Sequence, residues 1–201
     1  MKKLLAIVLT AAMLLAMLCA CAAKPTETAA TDTKATIGIL MPTKEQTIWS
    51  IQGERLTEAF QKAGYATQIE YAEDDSAKQA MQIENMITKG AKVLIVASVD
   101  GGALTEVLAK AAKQGVKVIA YDRLLMNTPD VDCYVTFDNT KVGEAEAKYI
   151  IEKLGLDTGA EGPFNLEIFC GSPDDNNSYY FYDGAIALLQ PYIDEGKIVV
   201  K

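Results

Sequence analysis

The sequence predicts an α/β protein of two Rossmann-like lobes, each a parallel sheet covered by helices. Three observations predict it. From Ala35 onward, short apolar runs alternate with segments of helical period. The runs are apolar throughout rather than at every second residue, which is the pattern of parallel strands buried on both faces by crossover helices. Between residues 124 and 130 the rhythm breaks, and strand and helix signals then start again.

Residues 36–41 (TIGILM) form the first predicted strand, and the helix after it covers 48–63, with Trp49, Ile51, Leu56, Ala59, Phe60 and Ala63 at helical spacing before Gly64. A second strand runs over 66–72. Its helix, 76–89, carries Ala80, Ile83, Met86 and Ile87 on one face and stops at Gly90. Residues 93–97 (VLIVA) are the third strand, and the next helix places Leu104, Val107, Leu108, Ala111 and Ala112 on one stripe before Gly115. Residues 117–121 (KVIAY) are the fourth. These elements assign 35–122 to an N-terminal lobe. The loop at 124–130, with Asn127 and Pro129, reads as the crossing into a second lobe, 123–201. That lobe is expected to hold strands at 133–137, 164–169 and 198–200 and helices at 142–154 and 177–192. The chain stops at Lys201 directly after a strand, and a parallel strand without its cover points to an incomplete second lobe.

Ahead of the folded region stand Met1-Lys2-Lys3, an apolar run over 4–18, and Leu18-Cys19-Ala20-Cys21, the layout of a secretory signal. The run is too short to span a bilayer. Leucine three places before a cysteine, with a small residue directly before it, resembles the bacterial lipobox. Residues 1–21 are therefore expected to act as a lipoprotein signal peptide, with the mature chain starting at an acylated Cys21 and Cys19 as the fallback. Residues 22–34 are Ala, Thr, Pro, Glu, Asp and Lys without apolar period, the composition of a flexible tether. The protein is expected to be exported, lipid-anchored to the outer face of the cell membrane or in the periplasm. Export permits a disulfide, but Cys133 is expected at the start of one strand and Cys170 at the end of the next, at opposite sheet edges. Both are expected to pack as small apolar residues.

A composition of 50% hydrophobic and 23% charged residues supplies a full core. The formal net charge of −8 leaves no electrostatic case for nucleic acid. Without histidine the chain has no His-based triad or His metal ligand, and no G-x-S-x-G elbow is present. The first strand is followed by neither G-x-G-x-x-G nor P-loop spacing, which disfavours a dinucleotide or nucleoside triphosphate. No enzyme activity, cofactor or metal is expected.

In open α/β sheets, ligands bind past the carboxyl ends of the strands. Those ends are followed by Pro42-Thr43-Lys44 and then Trp49, by Ser98-Val99-Asp100-Gly101-Gly102, by Asp122-Arg123, by Asp138-Asn139 and by Ser172 to Asn177. Carboxylates, amides and one arginine suit a polyhydroxyl ligand, because each hydroxyl both donates and accepts. Trp49, Tyr179, Tyr180, Phe181 and Tyr182 are candidates for an aromatic plate against a sugar ring. A surface ion pair would also explain Asp122 and Arg123, and helix capping would explain Asp138, Asn139 and Asp174 to Asn177. Capping needs one polar residue per strand end, however, and two or three are present.

The stretches GILMPTKEQTIW, QIENMITKGAKVLIVAS, VKVIAYDRLL, VTFDNTKVGEAEA, GPFNLEIFCGSPDDNN and YFYDGAIALLQPYIDEGK resemble the sugar-binding proteins of type I periplasmic fold. They are similar in particular to the branch with the multiple-sugar-binding and xylose-binding proteins of ABC importers. The resemblance runs from Ala35 to Lys201 and implies the type I periplasmic-binding-protein fold, with two lobes closing on a monosaccharide. By matching position it implies sugar contacts from Asp122, Arg123, Asp175 and Asn177, to which Trp49, Asp138 and Asn139 are added from the strand ends. One departure precedes Trp49: where the family carries an arginine that reaches the sugar, this chain has Ile48. The resemblance implies a monomeric lipoprotein that captures an aldose such as galactose, glucose, xylose or arabinose for the permease and ATPase of an ABC importer. The alternative is a sugar-sensing receptor of the same fold that feeds a chemotaxis or two-component system.

Overall fold

The computed structural model describes residues 34–201. The expected signal peptide, Cys21 and the tether up to residue 33 lie outside the described residues. Five strands form the first sheet: β1 (Lys34–Met41), β2 (Tyr65–Tyr71), β3 (Val93–Val96), β4 (Lys117–Tyr121) and β5 (Cys133–Val135). Three helices accompany them, α1 (Thr47–Lys62), α2 (Ser76–Thr88) and α3 (Thr105–Lys113). The sheet is parallel throughout, in the order β2-β1-β3-β4-β5. The chain leaves β1 towards β2 and then crosses to β3 on the other side, so the order reverses between β1 and β3, where ligands of such sheets are held.

The apolar strands cover both faces, as their composition predicts. Ile37, Ile39 and Met41 of β1 pack with Ile95, Ala97 and Trp49 under α1. On the opposite face, Leu40, Leu94 and Val96 pack against Ile83 and Met86 of α2 and Leu108 of α3. Burying side chains of this size is worth about 1.5–3 kcal/mol each, so a helix on each face follows from the strand sequences.

The lobe boundary differs from the sequence expectation. Residues 133–137 were expected to open the second lobe, but Cys133–Val135 pairs in parallel with Ile119, Ala120 and Tyr121 of β4. The break at 124–130 is therefore a return loop within the first sheet. Leu125 is buried in the first core, with Val131 and Tyr134 packed against it. Asp132 fastens the loop, accepting from Val118 N–H at 2.9 Å and from Lys117 Nζ at 2.6 Å. A loop without helical period signals departure from a sheet only when nothing anchors it to the strand it left. The chain passes to the second lobe after β5.

That lobe comprises α4 (Asn139–Leu154), a short 3-10 turn (Leu156–Thr158), β6 (Phe164–Leu166), α5 (Asn176–Asp194) and β7 (Ile198–Val200), with β6 and β7 a parallel pair. Ala147, Leu156, Leu189 and Ile198 form its core. Helices α4 and α5 touch backbone to backbone: a Cβ on Gly143 would collide with the Phe181 carbonyl, and one on Gly184 with the Thr140 carbonyl. The strand expected over 164–169 ends at Leu166, and Phe169 beyond it is 91% exposed. Both Cys133 and Cys170 are free and exposed rather than packed as apolar residues, because β5 is an edge strand and Cys170 lies in the loop past β6.

Candidate functional site

β4 ends at Tyr121 and the chain reverses at once. Arg123 N–H donates to the Tyr121 carbonyl at 2.7 Å, across Asp122, whose φ is 62°. The left-handed region costs an ordinary residue about 1–2 kcal/mol, and Asp is one of the few types that tolerate it. Neighbours from three places hold the turn. Asp122 N–H donates to Val135 C=O at 2.8 Å. Its own carbonyl accepts from Tyr134 Oη at 2.9 Å, Thr136 Oγ1 at 3.1 Å and Asn177 Nδ2 at 3.3 Å. Asn177 Nδ2 also lies 3.3 Å from Asp122 Oδ1.

Arg123 is fixed on three sides. Nη1 donates to Ser98 C=O at 3.0 Å, the guanidinium stands 5.1 Å from the centre of the Trp49 ring, and Nε lies 3.1 Å from Asp175 Oδ2. The Nε hydrogen is not aimed at that oxygen, so the contact with Asp175 is an ion pair without a hydrogen bond. With side-chain exposures of 13% and 17%, the pair is screened far less than a surface pair. Asp175 also caps α5, accepting from Asn177 N–H at 3.0 Å. Helix capping and the pairing with Arg123 thus reside in one carboxylate.

Asp122 has a carboxyl held above its ordinary range, first by burial and then by the charge of Asp175, with Arg123 and the Asn177 hydrogen bond pulling the other way. Asn177 is 4% exposed and its Oδ1 has no partner. The cluster therefore combines two crowded carboxylates with an amide oxygen, an excess of acceptors beside one cation. Such a set suits a neutral ligand that brings several hydroxyl donors.

The structure brings Asp122, Arg123, Asp175 and Asn177 together. Trp49 joins them differently from an open aromatic plate: it is buried, it donates from Nε1 to Gln46 Oε1 at 3.1 Å, and the guanidinium stands over its ring. Asn139 is buried behind the cluster, with Nδ2 3.5 Å from Thr136 Oγ1 and Oδ1 unpartnered. Asp138 is exposed and caps α4, accepting from Lys141 N–H at 3.1 Å, and no hydrogen bond joins it to the four. Ile48 is 50% exposed. Tyr179, Tyr180 and Tyr182 are exposed, while Phe181 stacks on Phe137 at 6.3 Å. Sequence reasoning missed Tyr134 and Thr136, which hold the Asp122 carbonyl, and Gln79, which is fully buried. Gln79 carried a legible signal: it lies four residues before Ile83, on the buried stripe of α2.

Residues 37–201 match the family described as periplasmic binding protein domain. The chain belongs to that family. Over 168 residues the chain is 54% identical to the multiple sugar-binding periplasmic receptor of Rhizobium radiobacter, covering 84% of this chain and 47% of the receptor. It is 36% identical over 152 residues to the D-xylose-binding periplasmic protein of Escherichia coli, covering 76% and 44% of the two. The crystal structure of an ABC transporter solute-binding protein from Clostridium phytofermentans with bound β-D-glucose matches with a TM-score of 0.80 at 49% identity, covering 82% of this chain and 51% of that one. The chain spans about half the length of the curated relatives it matches, and its fold is the expected type I α/β architecture. A cavity of about 670 Å³ lies elsewhere, between α4, α5 and β6, walled by Tyr149, Leu166, Phe169 and Leu189 among others. Its walls are largely apolar, with Glu146 and Glu167 among them, and Asp122, Arg123, Asp175 and Asn177 do not line it.

Proposed function

We propose that this protein is an extracytoplasmic receptor that captures an aldose and passes it, chemically unchanged, to the permease of an ABC importer. The observation that carries the reading is the meeting of Asp122 and Arg123, from the end of β4, with Asp175 and Asn177, from the start of α5. A cluster of two carboxylates, an amide and a guanidinium drawn from both lobes can take hydroxyl protons and offer donors in return. The names of the relatives, which include a multiple sugar-binding receptor and a structure with bound glucose, support a pyranose as the ligand. In this reading Arg123 is a donor seated by Trp49, and Asn177 offers its unpartnered Oδ1 to the sugar. The protein acts as a monomer, held at the membrane by a lipid on Cys21. No specific observation favours the sensory alternative over transport.

A thermal-shift screen of D-glucose, D-galactose, D-xylose and L-arabinose on the full-length protein tests the proposal. A true ligand stabilises the fold by RT ln(1 + [L]/Kd), roughly 4 kcal/mol at a thousandfold excess over Kd. If no aldose raises the melting temperature at millimolar concentration, the reading fails.

A further inference from the structure

Gln79 stands in the first turn of α2, is 0% exposed, and belongs to none of the strand-end motifs. Its Nε2 donates to Ala97 C=O at 2.9 Å and its Oε1 accepts from Val99 N–H at 2.9 Å. Bonding to the carbonyl of one residue and the N–H two places on is how a residue of a neighbouring parallel strand engages its partner. The backbone partner runs out at this point: Ala97 N–H donates to Leu40 C=O of β1 at 2.9 Å, and β3 itself ends at Val96. The Gln79 amide continues the ladder along the β1 edge for one more residue, across Ser98. With Ala97 C=O and Val99 N–H both turned to Gln79, the Ser98 carbonyl between them points to the other edge, and the chain bends at Val99. That edge faces β4, and there the Ser98 carbonyl accepts from Arg123 Nη1 at 3.0 Å.

We propose that Gln79 is a positioning residue for Arg123: by clamping Ala97 C=O and Val99 N–H it fixes the turn past β3 whose Ser98 and Val99 carbonyls lie 3.0 and 3.5 Å from Nη1, and so seats the guanidinium over Trp49 and beside Asp175. A free arginine side chain carries about 2 kcal/mol of rotamer entropy, and a ligand that had to order it would bind more weakly. Gln79 removes that cost before the ligand arrives. Only the affinity readout below rests on the sugar-binding proposal; the placement of Arg123 does not.

Two measurements test it. Trp49 is the single tryptophan of the 201-residue chain, so its emission reports on the guanidinium above it without any ligand. Gln79→Leu is expected to change that emission as Arg123→Ala does, and the double variant to add nothing further. In the full-length protein Gln79→Leu is expected to weaken D-glucose binding about tenfold while circular dichroism stays that of wild type. Gln79→Glu supplies a rescue that a merely structural role would not show. A protonated carboxyl has one donor for Ala97 C=O and one acceptor for Val99 N–H, whereas the ionised form offers acceptors alone. Emission and affinity of Gln79→Glu, each relative to wild type, should recover as the pH falls from about 8 to about 5. A folded Gln79→Leu with wild-type emission and wild-type Kd would overturn the proposal, whatever its melting temperature. If Gln79→Leu does not fold, the Gln79→Glu series decides alone, and emission that ignores pH overturns it. Should wild type bind no aldose, the sugar reading falls, and the emission comparison still decides the role of Gln79.

Discussion

Asp122 is where stability and binding are expected to pull apart, and Asp122→Asn separates them. Asn tolerates the left-handed turn at φ 62°, and its Oδ1 can keep the contact with Asn177, so the substitution removes a charge and little else. Alanine would confound the result with backbone strain. On the binding side, a hydrogen bond to a charged group is worth about 1.5–3 kcal/mol and a neutral one about 0.5–1.5 kcal/mol. The difference of about 1–1.5 kcal/mol predicts a loss of roughly tenfold in sugar affinity by calorimetry. On the stability side, burial and Asp175 hold the folded carboxyl above its ordinary range. The folded state therefore holds this proton more tightly than the unfolded chain. The stability so contributed is fully present below the ordinary carboxylate range and is lost as the pH rises through the folded value. At neutral pH the ionised Asp122 is a burden that Asn lacks. Calorimetric melting of the sugar-free protein should find Asp122→Asn at least as stable as wild type at pH 7, with the balance moving towards wild type on acidification. An Asn variant that melts well below wild type at pH 7, or whose relative stability improves as the pH falls, would refute the reasoning.

Three further outcomes are expected. Gly143→Ala should destabilise the second lobe by about 1–3 kcal/mol in chemical denaturation, because its Cβ would meet the Phe181 carbonyl, although the same change in an exposed helix gains up to about 1 kcal/mol. Hydrogen exchange should be slower for β1 and β3, each paired on both sides, than for β6 and β7, which pair only with each other among the described residues. Mass spectrometry of the mature protein should find an acylated Cys21 at the N-terminus, and an unlipidated start at Ala22 or later would refute the anchor.

Element types in the first sheet were legible because β1, β3 and β4 are apolar without alternation and their helices carry clean stripes. The fate of 124–132 was not legible, since the bond that returns it to the sheet is a carboxylate, Asp132, meeting the backbone of Val118, with no local periodicity. At the site, strand-end logic placed Asp122, Arg123 and residues 172–177 past the strands, the resemblance singled out Asp122, Arg123, Asp175 and Asn177, and the structure brings those four together. What stayed hidden was division of labour. Asp175 looked like either a cap or a ligand group and is a cap and the ion partner of Arg123 at once. Trp49 looked like a plate for the ligand and is a seat for the arginine. Such roles depend on which residues three-dimensional packing places beside one another, and no spacing in the chain encodes that.

The same contacts that define the site also join the two lobes, which gives binding a mechanical consequence. Asn177 bridges to Asp122 through contacts of 3.3 Å, long compared with the usual 2.9–3.0 Å for N–H···O. Long contacts of this kind are readily given up. On the proposed reading, a hydroxyl entering between Asp122 Oδ1 and Asn177 can accept from Nδ2 and donate to the carboxylate, replacing one stretched bond by two of ordinary length. The Arg123–Asp175 pair need not open for that exchange, because it holds through Nε while Nη1 stays on Ser98. Ligand and lobe contact then strengthen each other, as coupling through shared groups requires. On the proposed reading, a cluster built in this way favours a ligand that both donates and accepts at one atom, and a sugar hydroxyl does so where an ether or a halide does not.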